Sequence, residues 1–328
     1  TPMALTTATN RLAQLGFLLT RGHVMETLAK ASHIVFDKTG TLTVGEPVLL
    51  YQQDLHPADV QHSWLAIATA LEQTSNHPLA KAFRAAYGNL PVPELQDSAH
   101  IVGGGLTGTV AGQAYRLGHA QFAGLDDAVD ELTVFLARQS GEQWQVVARF
   151  EFADQLRAGA KDTIAALQAQ GLQVWMLSGD PTGQPALIGA QLGLDVVQGG
   201  LKPEQKVEAV KALQAAGHTV VMVGDGVNDG PVLATAQVSV AMSSGADLAM
   251  ISADSVLLHD QLTALLDARR VSLRTDQIIQ QNLRWAFGYN FAVLFPAAFG
   301  YVPPWLAAIG MSLSSLLVVM NALRLKRA

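Results

Sequence analysis

The chain has 328 residues, enough to bury a sizeable core and to hold about two domains with extras. Its net charge of -6 argues against a nucleic-acid footprint, and with no cysteine it can build neither a disulfide framework nor a thiolate metal site by itself. Hydrophobic residues at 49% against charged ones at 15% lean toward association with a membrane.

Thr1-Pro2-Met3 has neither an initiator methionine nor the layout of a signal peptide, and is expected to be a cut inside a longer protein. Residues 1–30 read as a helix, with Leu5, Leu12, Leu15, Leu18 and Leu19 near helical spacing. Arg11 and Arg21 sit where a membrane helix would meet the cytosol, although an amphipathic core helix fits the same pattern. Ile34-Val35-Phe36 then reads as a buried strand that ends at Asp37. An aspartate there lies outside the carboxyl end of a strand, where α/β sheets bind ligands. Lys38-Thr39-Gly40-Thr41-Leu42-Thr43 supplies hydroxyls and a flexible turn able to wrap a phosphoryl group. Two residues past Asp37 stands Thr39, not a second acid. A phosphoryl group on Asp37 would lack a nearby hydrolytic helper and should persist.

Residues 47–150 have a different texture and read as a separate α/β lobe inserted after that strand. A helix through Trp64, Leu65, Ile67 and Leu71 leads to Ser75-Asn76-His77-Pro78, where Pro78 suits the first turn of a new helix. The turn Gly103-Gly104-Gly105 follows, flanked by strand-like runs at Thr109-Val110, Tyr115-Arg116-Leu117 and Trp144–Ala148. From Phe152 to residue 268 the pattern alternates. Helices are expected near 157–170, 183–192 and 204–216, and strands at Val174–Leu177, Val220–Val223 and Val238–Ala241. Short apolar strands alternating with helices indicate a parallel sheet covered on both faces, which the Ile34 strand joins. The sheet domain is therefore expected to be split, as 31–46 and 151–268.

The remaining stretch, 269–328, holds two spans of about 18 residues without an acid or base, Trp285–Val302 and Trp305–Leu323, near the minimum for crossing a bilayer. Pro303-Pro304 between them implies a helical hairpin. Arg269, Arg270, Arg274 and Arg284 before it and Arg324, Lys326 and Arg327 after it put both ends in the cytosol by the positive-inside rule.

Three further strand ends offer what a phosphorylated Asp37 needs. Ser178-Gly179-Asp180 can hold phosphoryl oxygens. Lys202 opens the next helix with Lys206 a turn later, and one lysine there would offset phosphate charge. Gly224-Asp225-Gly226-Val227-Asn228-Asp229 adds acids that make an oxygen-rich site suited to Mg²⁺. Singly, each of these is an ordinary cap or turn; together they are hard to explain otherwise.

These residues resemble the C-terminal portion of a heavy-metal (type IB) P-type ATPase, over essentially the whole chain. The resemblance implies a haloacid-dehalogenase-like phosphorylation domain split by a nucleotide-binding domain, followed by a transmembrane hairpin. It implies a phosphorylated Asp37, with Lys38 beside it. It makes Asp225 and the Thr39 carbonyl the Mg²⁺ ligands alongside Asp37, and Asn228-Asp229 a hinge on the phosphate side. Ser178-Gly179-Asp180 stands for the family's Thr-Gly-Asp, and Asp154 and Arg157 resemble its Asp-x-x-Arg. Glu72, His77, Gly103, Gly105 and Gly118 match an ATP pocket, with His77-Pro78 the mark of the heavy-metal branch. His119 stands where Asn is frequent, which puts one nucleotide contact in doubt, and Gly230 replaces an Ala. Phosphatases of the haloacid-dehalogenase type carry a second Asp where this chain has Thr39.

Tyr289-Asn290 in the first span, and Met311 with Ser315 in the second, resemble the Cu(I)-transporting subgroup, and a thioether suits a soft monovalent ion. Such residues are equally used for helix packing. Leu15–Gly22 resembles copper pumps associated with respiratory-oxidase assembly. The family's Thr-Gly-Glu and Cys-Pro-Cys-type helix do not occur in this sequence. The resemblance implies a multi-pass protein of a bacterial inner membrane with catalytic domains in the cytoplasm, receiving its metal from a copper chaperone. A membrane-anchored nucleotide-binding remnant and a haloacid-dehalogenase-type phosphatase are the alternative readings.

Overall fold

The computed structural model describes residues 2–57, 62–75, 77–126, 132–226, 229–301 and 303–327, so Asn76, Val227 and Asn228 lie outside the described residues. The chain divides into two compact units, Thr1–Leu42 with Arg157–Ala328, and Thr43–Leu156. The second unit is a few residues longer at each end than the sequence pattern suggests, because its outer strands already pair at Thr43 and Leu156.

In chain order, helix α1 (Pro2–Gln14) stops at Gly16, whose φ of +81° favours glycine. The expected single helix over 1–30 is thus interrupted. Strand β1 (Phe17–Leu19) follows, then helix α2 (Val24–Lys30) and strand β2 (His33–Asp37). The second unit contains β3 (Thr43–Asp54), α3 (Trp64–Leu71), α4 (Pro78–Tyr87), β4 (Leu95–Ile101), β5 (Gly105–Val110), β6 (Gln113–Gly118), α5 (Ala120–Ala123), β7 (Thr133–Ser140) and β8 (Gln143–Leu156). The chain then returns through α6 (Ala160–Ala169), β9 (Gln173–Leu177), α7 (Gln184–Leu192), β10 (Val196–Gln198), α8 (Pro203–Ala215), β11 (Val220–Gly224), α9 (Gly230–Leu233), β12 (Val238–Met242), α10 (Asp247–Ser252) and β13 (Ser255–Leu257). It ends in two long helices, α11 (Thr263–Ala298) and α12 (Pro304–Leu323).

The first unit holds a seven-stranded sheet in the order β1-β13-β12-β11-β2-β9-β10. Every neighbouring pair is parallel except the antiparallel edge pair β1 and β13. Strands β2, β11 and β12 are buried at every position, which is why they read as unbroken apolar runs rather than alternating ones. Strand β2 pairs with β9 on one side and β11 on the other, so the residues that follow these three strands emerge side by side at one edge.

The second unit is a six-stranded antiparallel sheet, β3-β8-β7-β6-β5-β4, with α3 and α4 over one face. Its core is aromatic: Phe83 of α4 meets Phe150 and Phe152 of β8 edge-on, each at 5.0 Å between ring centroids. Trp64 is fully buried and donates its Nε1–H to the His56 carbonyl at 2.8 Å, so burying the ring leaves no donor unpaired.

Helix α11 has a buried face of Ala264, Leu265, Ala268, Arg269, Val271, Ser272, Thr275, Ile278 and Asn282, and packs on α2 and α1. Past Asn282 its large side chains turn outward: Trp285, Phe287, Phe291 and Phe295 are exposed. It runs through Pro296 without a break. Helix α12 returns alongside it, fixed by Trp285 Nε1–H donating to Ser314 Oγ at 3.1 Å and by Asn321 donating to Asn282 Oδ1 at 3.0 Å. Among the described residues one helix, Trp305–Lys326, is long and apolar enough to cross a membrane, with mean hydropathy 1.9. The expected first span, Trp285–Val302, is not helical to its end: α11 stops at Ala298, and Val302 lies outside the described residues.

Candidate active site

Asp37 ends β2 and is buried. The chain then makes a tight irregular turn. Thr39 is exposed and extended at φ -75°, ψ 132°, and Gly40 takes φ +71°. Glycine is required at position 40 twice over: the dihedral favours it, and a Cβ there would lie 2.5 Å from Asp225 Oδ2. The turn thus brings the segment after Asp37 against the loop after β11.

Asp37, Asp225 and Asp229 each offer a carboxylate oxygen, all within 4.8 Å of one another. Lys206 Nζ donates to Asp37 Oδ1 at 2.8 Å and to Asp229 Oδ1 at 2.6 Å. Burial, reinforced by the Asp229 charge, pushes the Asp37 carboxyl up to about 7 against the pull of Lys206. Burial alone would lower Lys206, but Asp37 and Asp229 hold its ammonium above the ordinary lysine value. One ammonium cannot balance three carboxylates, and the buried Asp229 Oδ2 has no hydrogen-bond partner among the described residues. The cluster fits a hard divalent cation.

Of the two lysines considered from sequence, Lys206 reaches Asp37. Lys202 is exposed and begins α8, its backbone N–H donating to Gln205 Oε1 at 2.9 Å. The correction is one of helix phase: one turn into α8 the side chain points back over the sheet. Asp229, expected among the acids of its loop and as part of a hinge, shares that lysine; its neighbour Asn228 lies outside the described residues. Lys38, buried, pairs with Asp180, and Asp180 also accepts from Thr182 Oγ1 at 2.6 Å. Burial would raise the Asp180 carboxyl, yet the Lys38 and Thr182 hydrogen bonds hold it below the usual carboxylate value. Ser178 is buried beside Asp37's strand and its Oγ accepts the Asp180 N–H at 3.2 Å, while Gly179 is exposed. The structure brings Asp37, Asp225, Asp229 and Lys206 together, while the choice of lysine and the pairing of Lys38 with Asp180 are not written in the sequence pattern.

In the second unit, Glu72 closes α3 and is buried with Oε2 unpartnered among the described residues. Burial raises its carboxyl, opposed by the Ser75 hydroxyl and the charges of Arg84 and His100. His77 caps α4: its Nδ1 accepts the Leu79 N–H at 3.3 Å and the ring is otherwise exposed. Gly103 takes φ +73°, Gly105 φ +153°, and a Cβ on Gly105 or Gly118 would strike backbone across the β5–β6 pair. His119 accepts the Phe122 N–H on Nδ1 at 3.2 Å, so its Nε2 carries the proton and donates to the Gly103 carbonyl at 2.8 Å. The residue that departs from the family pattern therefore anchors the glycine turn.

The four hairpin residues are not gathered. Tyr289 packs its hydroxyl onto Gly310, but Asn290, Met311 and Ser315 are exposed, Met311 by 67%. Met311 and Ser315 share a face, and it is not the face turned to α11; Gly310 and Ser314 occupy that one.

The haloacid dehalogenase-like hydrolase family matches residues 31–237, covering the sheet, the strand-end acids and the inserted unit. The chain is similar to the nitrogen fixation protein FixI of Rhizobium meliloti, 37% identical over all of this chain and 42% of the relative. It is 38% identical to the probable copper-transporting ATPase SynA of Synechococcus sp., over 99% of this chain and 43% of that protein. The chain thus spans less than half the length of these relatives. Among solved structures, it matches a zinc-transporting PIB-type ATPase in an E2.Pi state with a TM-score of 0.87 and 34% identity, over 99% of this chain and 55% of that one. The chain belongs to the haloacid dehalogenase-like hydrolase family and, within it, to the heavy-metal P-type ATPases.

Proposed function

We propose that this chain is the catalytic and C-terminal membrane part of an ATP-driven Cu(I) exporter that works through an aspartyl phosphate on Asp37. One observation carries the reading. Asp37 stands at the end of a central parallel strand, shares Lys206 with Asp229, faces Asp225, and has Thr39 in place of a second acid. An Asp37 oxygen attacks the γ-phosphorus of ATP, the new O–P bond forms as the bond to the β-phosphate oxygen breaks, and ADP leaves. Asp37 and Asp225, with the Thr39 carbonyl, would hold Mg²⁺, which when bound offsets the charge of the transferred group. Lys206 and Lys38 add fixed positive charge beside the acceptor, and the Ser178 hydroxyl and the Gly179 amide would receive phosphoryl oxygens. Glu72, His77, Gly103, Gly105 and Gly118 form the ATP site of the second unit.

Copper is supported by the name of the Synechococcus relative and by the soft thioether of Met311; the likeness to a zinc-transporting structure favours zinc as the second reading. The exposed faces of Asn290, Met311 and Ser315 would then turn toward further membrane helices of the pump. In this reading both terminal helices span a bacterial inner membrane, the sheet units lie in the cytoplasm, and a copper chaperone delivers the ion.

Labelled ATP with Mg²⁺ should yield an acid-stable, hydroxylamine-sensitive phosphoprotein that disappears in Asp37→Asn. Labelling that persists in Asp37→Asn refutes the mechanism. In a longer parent protein, stimulation of hydrolysis by Cu(I) rather than Zn(II) decides the metal.

A further inference from the structure

The carboxylate of Asp260 joins two segments that flank Asp225. Asp260 follows β13, takes φ +51° in the left-handed region, and its side chain is 18% exposed. Its Oδ1 accepts from Ser243 Oγ at 3.0 Å and from the Ser244 N–H at 3.1 Å. These serines begin the loop after β12. Two residues on, a Cβ on Gly245 would overlap the Asp225 carbonyl oxygen, and the Ala246 N–H donates to that oxygen at 3.0 Å. Loop 243–246 is therefore the bed on which the Asp225 backbone rests.

On its other side, Asp260 Oδ2 is 3.8 Å from Arg157 Nη1. Arg157 donates from Nε to the Thr41 carbonyl at 2.9 Å and from Nη2 to the Gly40 carbonyl at 2.7 Å. Gly40 in turn abuts the Asp225 carboxylate. The contacts close a ring through Asp225, Gly40, Arg157, Asp260, Ser244 and Ala246. It gathers segments far apart in sequence around one metal-side aspartate. Arg157 donates to two neutral carbonyls in the Asp37 turn, and Asp260 adds a carboxylate facing its guanidinium.

We propose that Asp260 is a positioning residue for the divalent cation, fixing the Asp225 carboxylate from both sides without touching the ion. This rests on the reading that Asp37 and Asp225 hold Mg²⁺. Outer partners of this kind set ligand orientation, and their loss weakens metal binding more than it weakens the fold. Asp260→Asn keeps an oxygen for the two serine donors but loses the charge facing Arg157; Asp260→Ala loses both.

Binding of Mn²⁺ to the 328-residue chain, followed by loss of the free-ion paramagnetic resonance signal, tests this directly. Asp225→Ala should abolish the site, and Asp260→Asn should weaken it about 10-fold with an unchanged melting temperature and unchanged ATP affinity. Asp260→Ala should weaken it further. If both Asp260 variants bind Mn²⁺ like the wild type while Asp225→Ala does not, the proposal falls and the site reading stands. Binding that survives Asp225→Ala overturns both. Weakened binding in Asp260→Asn that comes with loss of the cooperative melting transition also overturns it, since Asp260 would then hold the fold rather than the cation.

Discussion

The edge of the parallel sheet and the α11–α12 hairpin both carry candidate ligands read from the sequence, yet the structure treats them differently. At the sheet edge, Asp37, Asp225, Asp229 and Lys206 converge from the ends of two strands and a helix, with Lys206 bonded to both Asp37 and Asp229. In the hairpin, Tyr289 packs inward on Gly310, while Asn290, Met311 and Ser315 face away. A parallel sheet fixes which side chains meet because its strands share one register. Two helices fix only one face each, and the remaining faces are left for other partners.

The largest effect expected from breaking this contrast is at Lys206. Lys206→Met would leave Asp37 and Asp229 buried without their shared cation and should cost about 3–5 kcal/mol of stability. Lys202→Met, on the exposed start of the same helix, should change stability by less than about 0.5 kcal/mol. Chemical denaturation of the two variants separates them, and equal losses would mean that the pairing is not what holds the site.

A second expectation concerns pH. The Asp37 carboxyl sits near 7 in the folded chain against 3.8 when unfolded, so the folded state binds its proton more tightly. That contribution to stability is fully present below about pH 4 and is lost as pH rises through about 7. In chelator, Asp37→Asn should therefore be more stable than wild type at pH 8, by on the order of 1–4 kcal/mol, and the gap should close toward pH 4. A gap that widened on acidification would contradict a buried, charge-crowded Asp37.

In the nucleotide-binding unit the effects should be smaller. His77→Gln should weaken ATP binding by about 1–2 kcal/mol, measured by calorimetry without Mg²⁺. Unchanged affinity would leave His77 with its observed role as the cap of α4. Smallest of all, Met311→Ala should shift the stability of this chain by less than about 0.5 kcal/mol, because its side chain is already largely exposed. A larger loss would show that the hairpin's outer face is packed after all, and would sharpen the case against it as a ligand surface.

Much of the sheet was legible because both-face burial writes β2, β11 and β12 as plain apolar runs, and the acids that follow them stand out. Less legible were β3 and β4. Their outward positions carry polar and charged residues, as in Gln52, Gln53 and Asp97, which blur the period of a half-exposed strand. The choice of Lys206 over Lys202 needs the phase of α8 relative to the sheet. The link from Arg157 to Asp260 needs loops about 100 residues apart to meet, and no local pattern encodes that. His119 was legible as a departure, but its work as a donor to the Gly103 carbonyl appears only once β6 and the glycine turn are adjacent.

Arg269 gives the long helix a fulcrum. Its buried guanidinium grips the carbonyls of Leu28 and Ala31 at 2.6 and 3.3 Å, at the end of α2 and immediately before the strand that delivers Asp37. From Arg269 to Ala298, α11 continues for about 30 residues, or about 45 Å at 1.5 Å per residue. A stiff rod of that length magnifies whatever happens at its base: a tilt of about 5° at Arg269 carries the far end through about 4 Å. A shift too small to disturb the packing beneath Asp37 thus becomes a displacement of several ångströms at the other end of one uninterrupted helix.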